Sequence, residues 1–207
     1  WWLGPVRLNI IDGVLFEHNN LLKVAVIGAG VSGLTVGSLL AAAGHQVSVY
    51  ERNQEISEIG AGIQISPNGF CVLKELGVAE DTINNSVCNN SILICDYYKG
   101  KRLLQFDQSP SLGSKQFRLL HRADLVKLLY QSALGNKVTF NFGYTADAHS
   151  LSSTYSFVIA ADGVHSKTRA LLNPTKNANI KTDYFAWRTI VPNKNTHHNG
   201  VRLTVAP

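Results

Sequence analysis

The sequence has no methionine and few cysteines, which bears on its translation start and argues against cysteine-based metal or disulfide sites. Methionine is absent at position 1 as well, so we do not expect Trp1 to be a natural translation start. The three cysteines, Cys71, Cys88 and Cys95, are irregularly spaced and form no C-x-x-C pair, which argues against a zinc site or a disulfide framework. An odd number of cysteines without a secretory signal favours a reducing compartment, and we expect a cytoplasmic protein.

Long apolar runs and clusters of basic residues are also missing. No stretch reaches the roughly eighteen apolar residues that a membrane-spanning helix requires, so we expect no membrane span. The 19 Lys and Arg residues against 14 Asp and Glu give a formal net charge of +5, but the basic residues are scattered along the chain. We therefore expect no nucleic-acid partner, whereas a mild positive charge suits a protein that binds anionic cofactors.

Most of the information lies in residues 23–51, KVAVIGAGVSGLTVGSLLAAAGHQVSVYE. The apolar, β-branched run at 24–27 predicts a buried parallel strand. A G-x-G-x-x-G turn follows, and the alanine-rich segment 34–43 predicts a helix. Residues 46–50 alternate as in a second strand, which ends at Glu51, eighteen positions after the last glycine of the turn. Together these pieces predict one βαβ unit.

The residues of this unit have distinct physical roles. Gly28 permits a sharp exit from the strand, Gly30 lets backbone approach a pyrophosphate, and Gly33 lets the helix pack close to the strand. The amides at the start of the helix and its positive dipole end favour a diphosphate. Glu51 is placed to bind a ribose diol, and its charge would repel a 2′-phosphate, so we expect the ADP group of FAD or NAD. The alternative is a glycine-rich turn that binds nothing, and the turn alone does not choose between FAD and NAD.

Four later residues are candidates for ligand contact. Gly62 belongs to a glycine pair where backbone can lie against a flat ring, although an ordinary surface loop has a similar composition. Arg122 opens a predicted helix and either reaches an anionic group or faces solvent. Asp162 follows a predicted strand at 157–160, and it either hydrogen-bonds a ribose or ribityl hydroxyl or caps the next helix. Arg169 is a candidate partner for a carboxylate or a phosphate.

Five segments, taken in order, resemble one enzyme family. They are VAVIGAGVSGLTVGSLLAAAGHQVSVYER (24–52), IGAGIQISPNG (59–69), LLHRADL (119–125), AADGVHSKTR (160–169) and AWR (186–188). The chain is similar to the FAD-dependent aromatic-ring monooxygenases of the salicylate hydroxylase type, within the p-hydroxybenzoate hydroxylase-like flavoproteins. The resemblance runs from about residue 21 to the end.

This resemblance implies which residues bind the cofactor. The glycine turn would line the FAD diphosphate and Glu51 would hold the adenosine ribose, while Asp162 would contact both FAD and the nicotinamide cofactor. Arg188 matches a substrate-domain position beside the reactive side of the flavin, and it is the candidate catalytic residue. The implied cofactor-binding residues are Gly28, Ala29, Gly30, Ser32, Gly33, Glu51, Arg52, Ala61, Gly62, Arg122 and Asp162.

The implied activity is the hydroxylation of a phenolic or salicylate-like small molecule. In such enzymes NAD(P)H reduces FAD, and one oxygen atom of O₂ is transferred to an electron-rich ring. The cofactor carries this chemistry, while the protein supplies orientation, a dry cavity and electrostatics. This agrees with a sequence in which we find no Ser/His/Asp, metal or cysteine constellation.

We therefore predict an α/β fold, with a Rossmann-like FAD-binding domain and part of a β-rich substrate domain. The FAD-binding domain is assigned to residues 21–90 and 115–175, and the partial substrate domain to 91–114 and 176–207. Residues 1–20 lack the features of a signal peptide, and we interpret them as an extension outside the fold. The sequence does not indicate an oligomeric state.

Two departures from the family pattern affect this expectation. The family has a later G-D motif whose aspartate contacts the ribityl region, and the sequence reaches Pro207 without it; residues 138–162 are also shorter than the family's strand meander. We expect exposed apolar surface and weaker FAD retention as a result. Two other functions stay open: a truncated, non-catalytic dinucleotide-binding module, and an NAD-dependent dehydrogenase, which has no use for the Asp162 motif.

Overall fold

The helices and strands are taken from a computed structural model that describes residues 9–11, 14–16, 21–56, 62–89, 91–107, 117–173 and 200–205. In chain order the elements are β1 (Asn9–Ile11), β2 (Val14–Phe16), β3 (Lys23–Ile27), α1 (Val31–Ala42), β4 (Gln46–Glu51), β5 (Gly62–Ile65), α2 (Pro67–Glu75), α3 (Ala79–Asn84), β6 (Ser86–Cys88), β7 (Ser91–Asp96), β8 (Arg102–Asp107), β9 (Arg118–His121), α4 (Arg122–Gly135), β10 (Thr139–Phe142), α5 (Ala148–Ser152), β11 (Phe157–Ala160), α6 (Lys167–Leu172) and β12 (Gly200–Val205).

The chain divides into two compact units. One comprises Trp1–Glu55 with Ala133–Lys176, and the other comprises Ile56–Ser132 with Asn177–Pro207. The domain boundaries expected from the sequence follow cofactor and substrate roles rather than compactness, and they stay a prediction. Strands β1 and β2, which lie in the expected N-terminal extension, pair with each other in an antiparallel ladder.

A four-stranded parallel sheet, in the order β10, β4, β3, β11, organises the first unit. Strand β3 lies in the middle of this sheet, and its apolar residues are buried because both faces are covered. On one face, Gly37 of α1 packs against Val47 and Val49. On the other face, Leu151 of α5 packs in a core cluster with Ala25 and Ile27. The predicted α/β fold class with a parallel sheet is therefore confirmed.

The second unit contains two three-stranded sheets. In the first, β9 pairs antiparallel with both β5 and β6. In the second, β7 lies between β12, to which it is parallel, and β8, to which it is antiparallel. Strands β7 and β8 form an antiparallel hairpin around Lys99-Gly100-Lys101. Within the ranges that the structure describes, no helix has the length and apolarity to cross a membrane.

Helices α1, α2 and α4 end in the same backbone motif, in which Gly44 is the left-handed residue after α1, while the residues after α2 and α4 differ. After α2, Gly77 has φ +74°, and the amides of Gly77 and Val78 bond to the carbonyls of Lys74 and Leu73. After α4, Lys137 has φ +63°, and the amides of Lys137 and Val138 bond to the carbonyls of Leu134 and Ala133. Both are Schellman endings, in which a left-handed residue is usually glycine because a Cβ is strained there.

We predict that Lys137→Gly stabilises the chain by about 0.5–1 kcal/mol, since it removes left-handed strain from a residue with a side chain. Gly77→Ala is the matched control: no atom lies within 4 Å of the added Cβ, so only the strain remains and the variant should lose about 1 kcal/mol. Urea unfolding of the three proteins measures both changes. A destabilised Lys137→Gly variant would contradict the assignment of strain to Lys137.

Candidate cofactor-binding site

The candidate site lies at the carboxyl edge of the parallel sheet. The segments that follow β10, β4, β3 and β11 begin with Gly143, Arg52, Gly28 and Ala161, in that spatial order along the edge. Because neighbouring strands are about 4.8 Å apart, the edge extends over roughly 14 Å. Ligands of open α/β sheets bind outside the carboxyl ends of the strands. The sheet order thus brings together the glycine turn, the Glu51 region and the Asp162 region.

Two glycines of the turn are required by packing inside the protein. Gly28 has φ +102°, and a Cβ there would lie 2.5 Å from the carbonyl oxygen of Ala161. A Cβ on Gly33 would overlap the carbonyl oxygen of Gly28. Both contacts are with backbone, which cannot move aside as a flexible side chain can. The turn between β3 and α1 is therefore packed tightly against the segment that follows β11.

Gly30 differs from the other two because it faces open space. No atom lies within 4 Å of a Cβ built on it, and its φ of −76° is one that any residue adopts. Gly30 is the N-cap of α1, no side chain caps the helix, and no acidic residue lies in its first turn. Ser32 is exposed in that first turn. The uncapped, positive end of the helix dipole and the open space at Gly30 fit an approaching diphosphate.

Backbone amides hold the Glu51 carboxylate in place. The amide of Ala29 donates to Oε2 and the amide of Asn53 donates to Oε1, each at 2.9 Å. Glu51 thus ties the end of β4 to the glycine turn. Each carboxylate oxygen has a second lone pair, so Glu51 can still accept hydrogen bonds from a diol. The adjacent Arg52 is exposed.

Asp162 is held in a similar way at the other end of the edge. The hydroxyl of Ser166 donates to Oδ1 at 2.6 Å, and the amide of Thr168 donates to Oδ2 at 3.1 Å. Ser166 also accepts a hydrogen bond from the amide of Arg169 and is the N-cap of α6. The N-cap of α6 is therefore Ser166, and Asp162 is an additional acceptor for the first turn through the amide of Thr168, while its contact with a ligand stays a prediction.

The environment of Asp162 favours its ionised form. Burial by itself would raise the pKa of the carboxyl, but the hydrogen bonds from Ser166 and Thr168 outweigh it and hold the pKa below its usual range. Arg169 donates from Nη2 to the carbonyl of Val164 at 2.7 Å, which braces the same turn. Asp162 is a fixed anion that can accept hydrogen bonds from hydroxyl groups.

The remaining predicted residues lie elsewhere. Gly62 is exposed at the start of β5, where it pairs with His121, the last residue of β9. Arg122 follows His121 directly and begins α4. Both belong to the second compact unit. Ala61 and the candidate catalytic residue Arg188 lie outside the described residues. Within the described ranges, no group of three or more His, Cys, Asp or Glu could hold a metal ion.

The sequence did not predict a pair of tyrosines, Tyr50 and Tyr155, the first of which precedes Glu51 in β4. The hydroxyls of Tyr50 and Tyr155 lie 2.8 Å apart, and the ring of Tyr144 packs on Tyr50 with centroids 5.2 Å apart. Burial and the hydrogen bond with Tyr155 raise the pKa of Tyr50 to about 12. No sequence signal pointed to this pair, because its members are 105 positions apart. The pair links the end of β4 to the residues before β11.

A comparison with protein families agrees with this geometry. Residues 22–200 match the family described as FAD binding domain. The chain belongs to this family. FAD is the cofactor that the family name specifies, and the open space at Gly30, the uncapped helix and the two fixed carboxylates fit it.

Several proteins that are similar in sequence to this chain are named as aromatic monooxygenases or hydroxylases. The chain is 34% identical to 3-amino-4-hydroxybenzoate 2-monooxygenase of Streptomyces cremeus over 192 residues, which cover 83% of this chain and 46% of the relative. It is 29% identical to 3-hydroxybenzoate 6-hydroxylase of Klebsiella oxytoca over 117 residues, covering 55% and 30%. The chain thus spans less than half the length of these relatives.

Solved structures show the same fold. The chain matches 2-methyl-3-hydroxypyridine-5-carboxylic acid oxygenase with a TM-score of 0.64 and 24% identity, over 74% of this chain and 42% of the other. It matches P. aeruginosa PqsL with a TM-score of 0.63 and 20% identity, over 76% and 47%. At these identities the likeness shows the fold alone, and the expected α/β fold is confirmed.

We predict that Ser166→Ala raises the pKa of Asp162, because one of the hydrogen bonds that lower it is removed. In the wild type, the stability contributed by Asp162 is complete above its unfolded pKa of 3.8 and is lost as the pH falls through the lower folded pKa. In the variant the folded and unfolded pKa values lie closer together, so Asp162 contributes less stability and its loss on acidification is complete at a higher pH, in addition to about 1 kcal/mol lost at all pH values with the helix cap.

A ¹³C carboxyl titration of Asp162 measures the change directly. Ser150→Ala is the matched control, because Ser150 donates in the same way to Asp147, which caps α5 and whose pKa is lowered by that hydrogen bond. This control should leave the Asp162 titration unchanged. An identical Asp162 titration in Ser166→Ala would refute the role given to Ser166.

Proposed function

We propose that this chain is the cofactor-binding portion of an FAD-dependent monooxygenase that hydroxylates a phenolic or hydroxybenzoate-like substrate with NAD(P)H and O₂. The observation that carries the proposal is the edge of the parallel sheet, where Gly30 faces open space between two carboxylates fixed by hydrogen bonds. The substrate class is supported by the names of relatives, which include hydroxybenzoate hydroxylases and a 6-hydroxynicotinate 3-monooxygenase from Bordetella bronchiseptica, 28% identical over 82% of this chain.

The residues at this edge can divide the binding of FAD among them. Amides and small side chains of the glycine turn and the first turn of α1 would hold the diphosphate, because they combine free space with a positive dipole. Glu51 would accept hydrogen bonds from the adenosine ribose, with Arg52 beside it. Asp162 would accept a hydrogen bond from another hydroxyl of the cofactor. The set proposed for the diphosphate is Gly28, Ala29, Gly30, Ser32 and Gly33.

The other proposed roles concern the second unit and the residues outside the described ranges. Gly62 and Arg122 are proposed to contact the cofactor, as is Ala61, and Arg188 is proposed to act on the substrate side. FAD supplies two-electron redox and oxygen-transfer chemistry when bound. The task of the protein's own groups is to orient the ring and to exclude water. The assignment of residues 91–114 and 176–207 to a substrate domain is part of this proposal.

The proposal is tested by adding FAD to the purified chain and following flavin fluorescence and the visible spectrum. We expect a yellow protein whose consumption of NADH or NADPH rises with one member of a panel of hydroxybenzoates, with the hydroxylated product identified by mass spectrometry. Benzoate without a hydroxyl group is the control substrate. A protein that binds ADP but neither FAD nor NAD(P)H would support a non-catalytic dinucleotide-binding module and would contradict the proposal.

The glycine turn allows a sharper test of FAD binding. Gly30→Ala places a methyl group in the open space proposed for the diphosphate, so FAD affinity should fall at least about tenfold, or 1.4 kcal/mol. Its fold should change little, with at most about 1 kcal/mol lost at the helix cap. Gly33→Ala instead should destabilise the protein by about 1–3 kcal/mol, because the new Cβ meets the backbone of Gly28.

Thermal unfolding and FAD titration distinguish the two variants. The expected pattern is a stable Gly30→Ala protein that binds FAD poorly and a Gly33→Ala protein with a lowered melting temperature. Full FAD affinity in Gly30→Ala would mean that the diphosphate does not lie at Gly30.

A further inference from the structure

Strand β8 (Arg102–Asp107) presents an exposed edge with large apolar side chains. Among the described residues its ladder partner is β7, on one side, and all six of its residues are exposed. Leu103, Leu104 and Phe106 are 53%, 53% and 54% exposed. The neighbouring β7 is more enclosed, with Cys95 at 2%. An exposed strand edge with apolar side chains is a template for pairing with another strand.

A β-bulge in β8 determines which of its side chains lie on each face of the sheet. Gln105 pairs with Leu93, Leu104 with Ile94, and Arg102 with Cys95, so Leu103 is the extra residue. Arg102, Gln105 and Asp107 therefore share one face, and Leu104 and Phe106 share the other. Hydrogen bonds confirm the polar face: Arg102 Nη1 donates to Gln105 Oε1 at 2.6 Å, and Gln105 Nε2 donates to Asp107 Oδ1 at 2.5 Å.

We propose that β8 is a dimer interface, where a second copy of this chain pairs with it antiparallel about a two-fold axis at Gln105. Leu103, the extra residue of the bulge, takes no position in this register. Leu104 therefore lies opposite the partner's Phe106, and Arg102 lies opposite the partner's Asp107. Both pairs occur twice because the interface is isologous. Aromatic–aliphatic and opposite-charge pairs are the cross-strand pairs that stabilise an antiparallel ladder.

The register follows from the pattern of charges. A shift by two residues in either direction would place Gln105 opposite a charged residue and leave the remaining Arg or Asp without a charged partner. The centred register matches both charges and brings the apolar residues together on the opposite face. The strand is thus complementary to itself, which is why a second copy is the partner it fits. The β12–β7–β8 sheets of the two copies would join into one six-stranded sheet, in the order β12, β7, β8, β8, β7, β12.

The first test is the mass of the full chain by sedimentation velocity over a range of concentrations. We expect a dimer that dissociates on dilution. Phe106→Lys should weaken dimerisation at least tenfold, because it places a charge between apolar residues of both copies. Tyr98→Lys is the matched control: Tyr98 is 73% exposed in the turn after β7, beyond the paired strand, and its variant should dimerise normally.

A charge swap tests the register itself. Arg102→Asp places two carboxylates opposite each other in the dimer, and Asp107→Arg places two guanidinium groups opposite each other, so each variant alone should dimerise at least tenfold more weakly. Mixed together, the two variants restore both opposite-charge pairs and should form a heterodimer. Circular dichroism checks that each variant is folded.

Three results would overturn the proposal. A wild-type chain that stays monomeric at every concentration would mean that β8 does not pair with a second copy, and that its partner is another one, such as a strand of a longer protein. A dimer unaffected by Phe106→Lys uses another surface. A dimer that Phe106→Lys abolishes, but whose charge variants form no heterodimer, contradicts the centred register. None of these measurements depends on FAD or on activity.

Discussion

The structure of the candidate site depends on the close backbone packing around Gly28. The turn between β3 and α1 lies between the segment after β11 and the start of the helix, and no Cβ fits at either contact. This packing brings the glycine turn next to the residues that lead into Asp162. A side chain at Gly28 or Gly33 would separate these segments and alter the edge. Packing inside the protein thus requires glycine at positions 28 and 33, whereas Gly30 faces open space.

The two carboxylates of the edge follow a common design. Glu51 accepts two backbone amides, and Asp162 accepts one amide and one hydroxyl. Both groups are therefore oriented before any ligand arrives, and in Asp162 the hydrogen bonds lower the pKa despite burial. Groups fixed in this way lose little conformational freedom on binding, which favours affinity for hydroxyl-bearing ligands. Their negative charge also favours a ribose over a phosphorylated ribose, while the start of α1 is the place proposed for the diphosphate.

Local patterns predicted much of the fold. The strand before Gly28, the strand that ends at Glu51 and the strand at 157–160 are all found where the sequence indicated, because each pattern depends on neighbouring residues. Helix α1 begins at Val31, three residues before the alanine-rich segment, since Gly33 is tolerated in its first turn. Non-local features were not predictable. The pairing of β11 with β3 and the contact between Tyr50 and Tyr155 join distant segments for which the sequence has no pairing signal.

The site residues divide in the same manner. Gly28, Gly30, Glu51 and Asp162 were identified from sequence because each lies at or just after the end of a strand, and the carboxyl ends of parallel strands meet at one edge. All four lie in the first compact unit, whereas Gly62 and Arg122 lie in the second. In the proposal, the groups assigned to the ADP part of FAD therefore come from one unit only. Since the proposal gives only Arg188 a role on the substrate side, cofactor binding and turnover are separable properties of the chain.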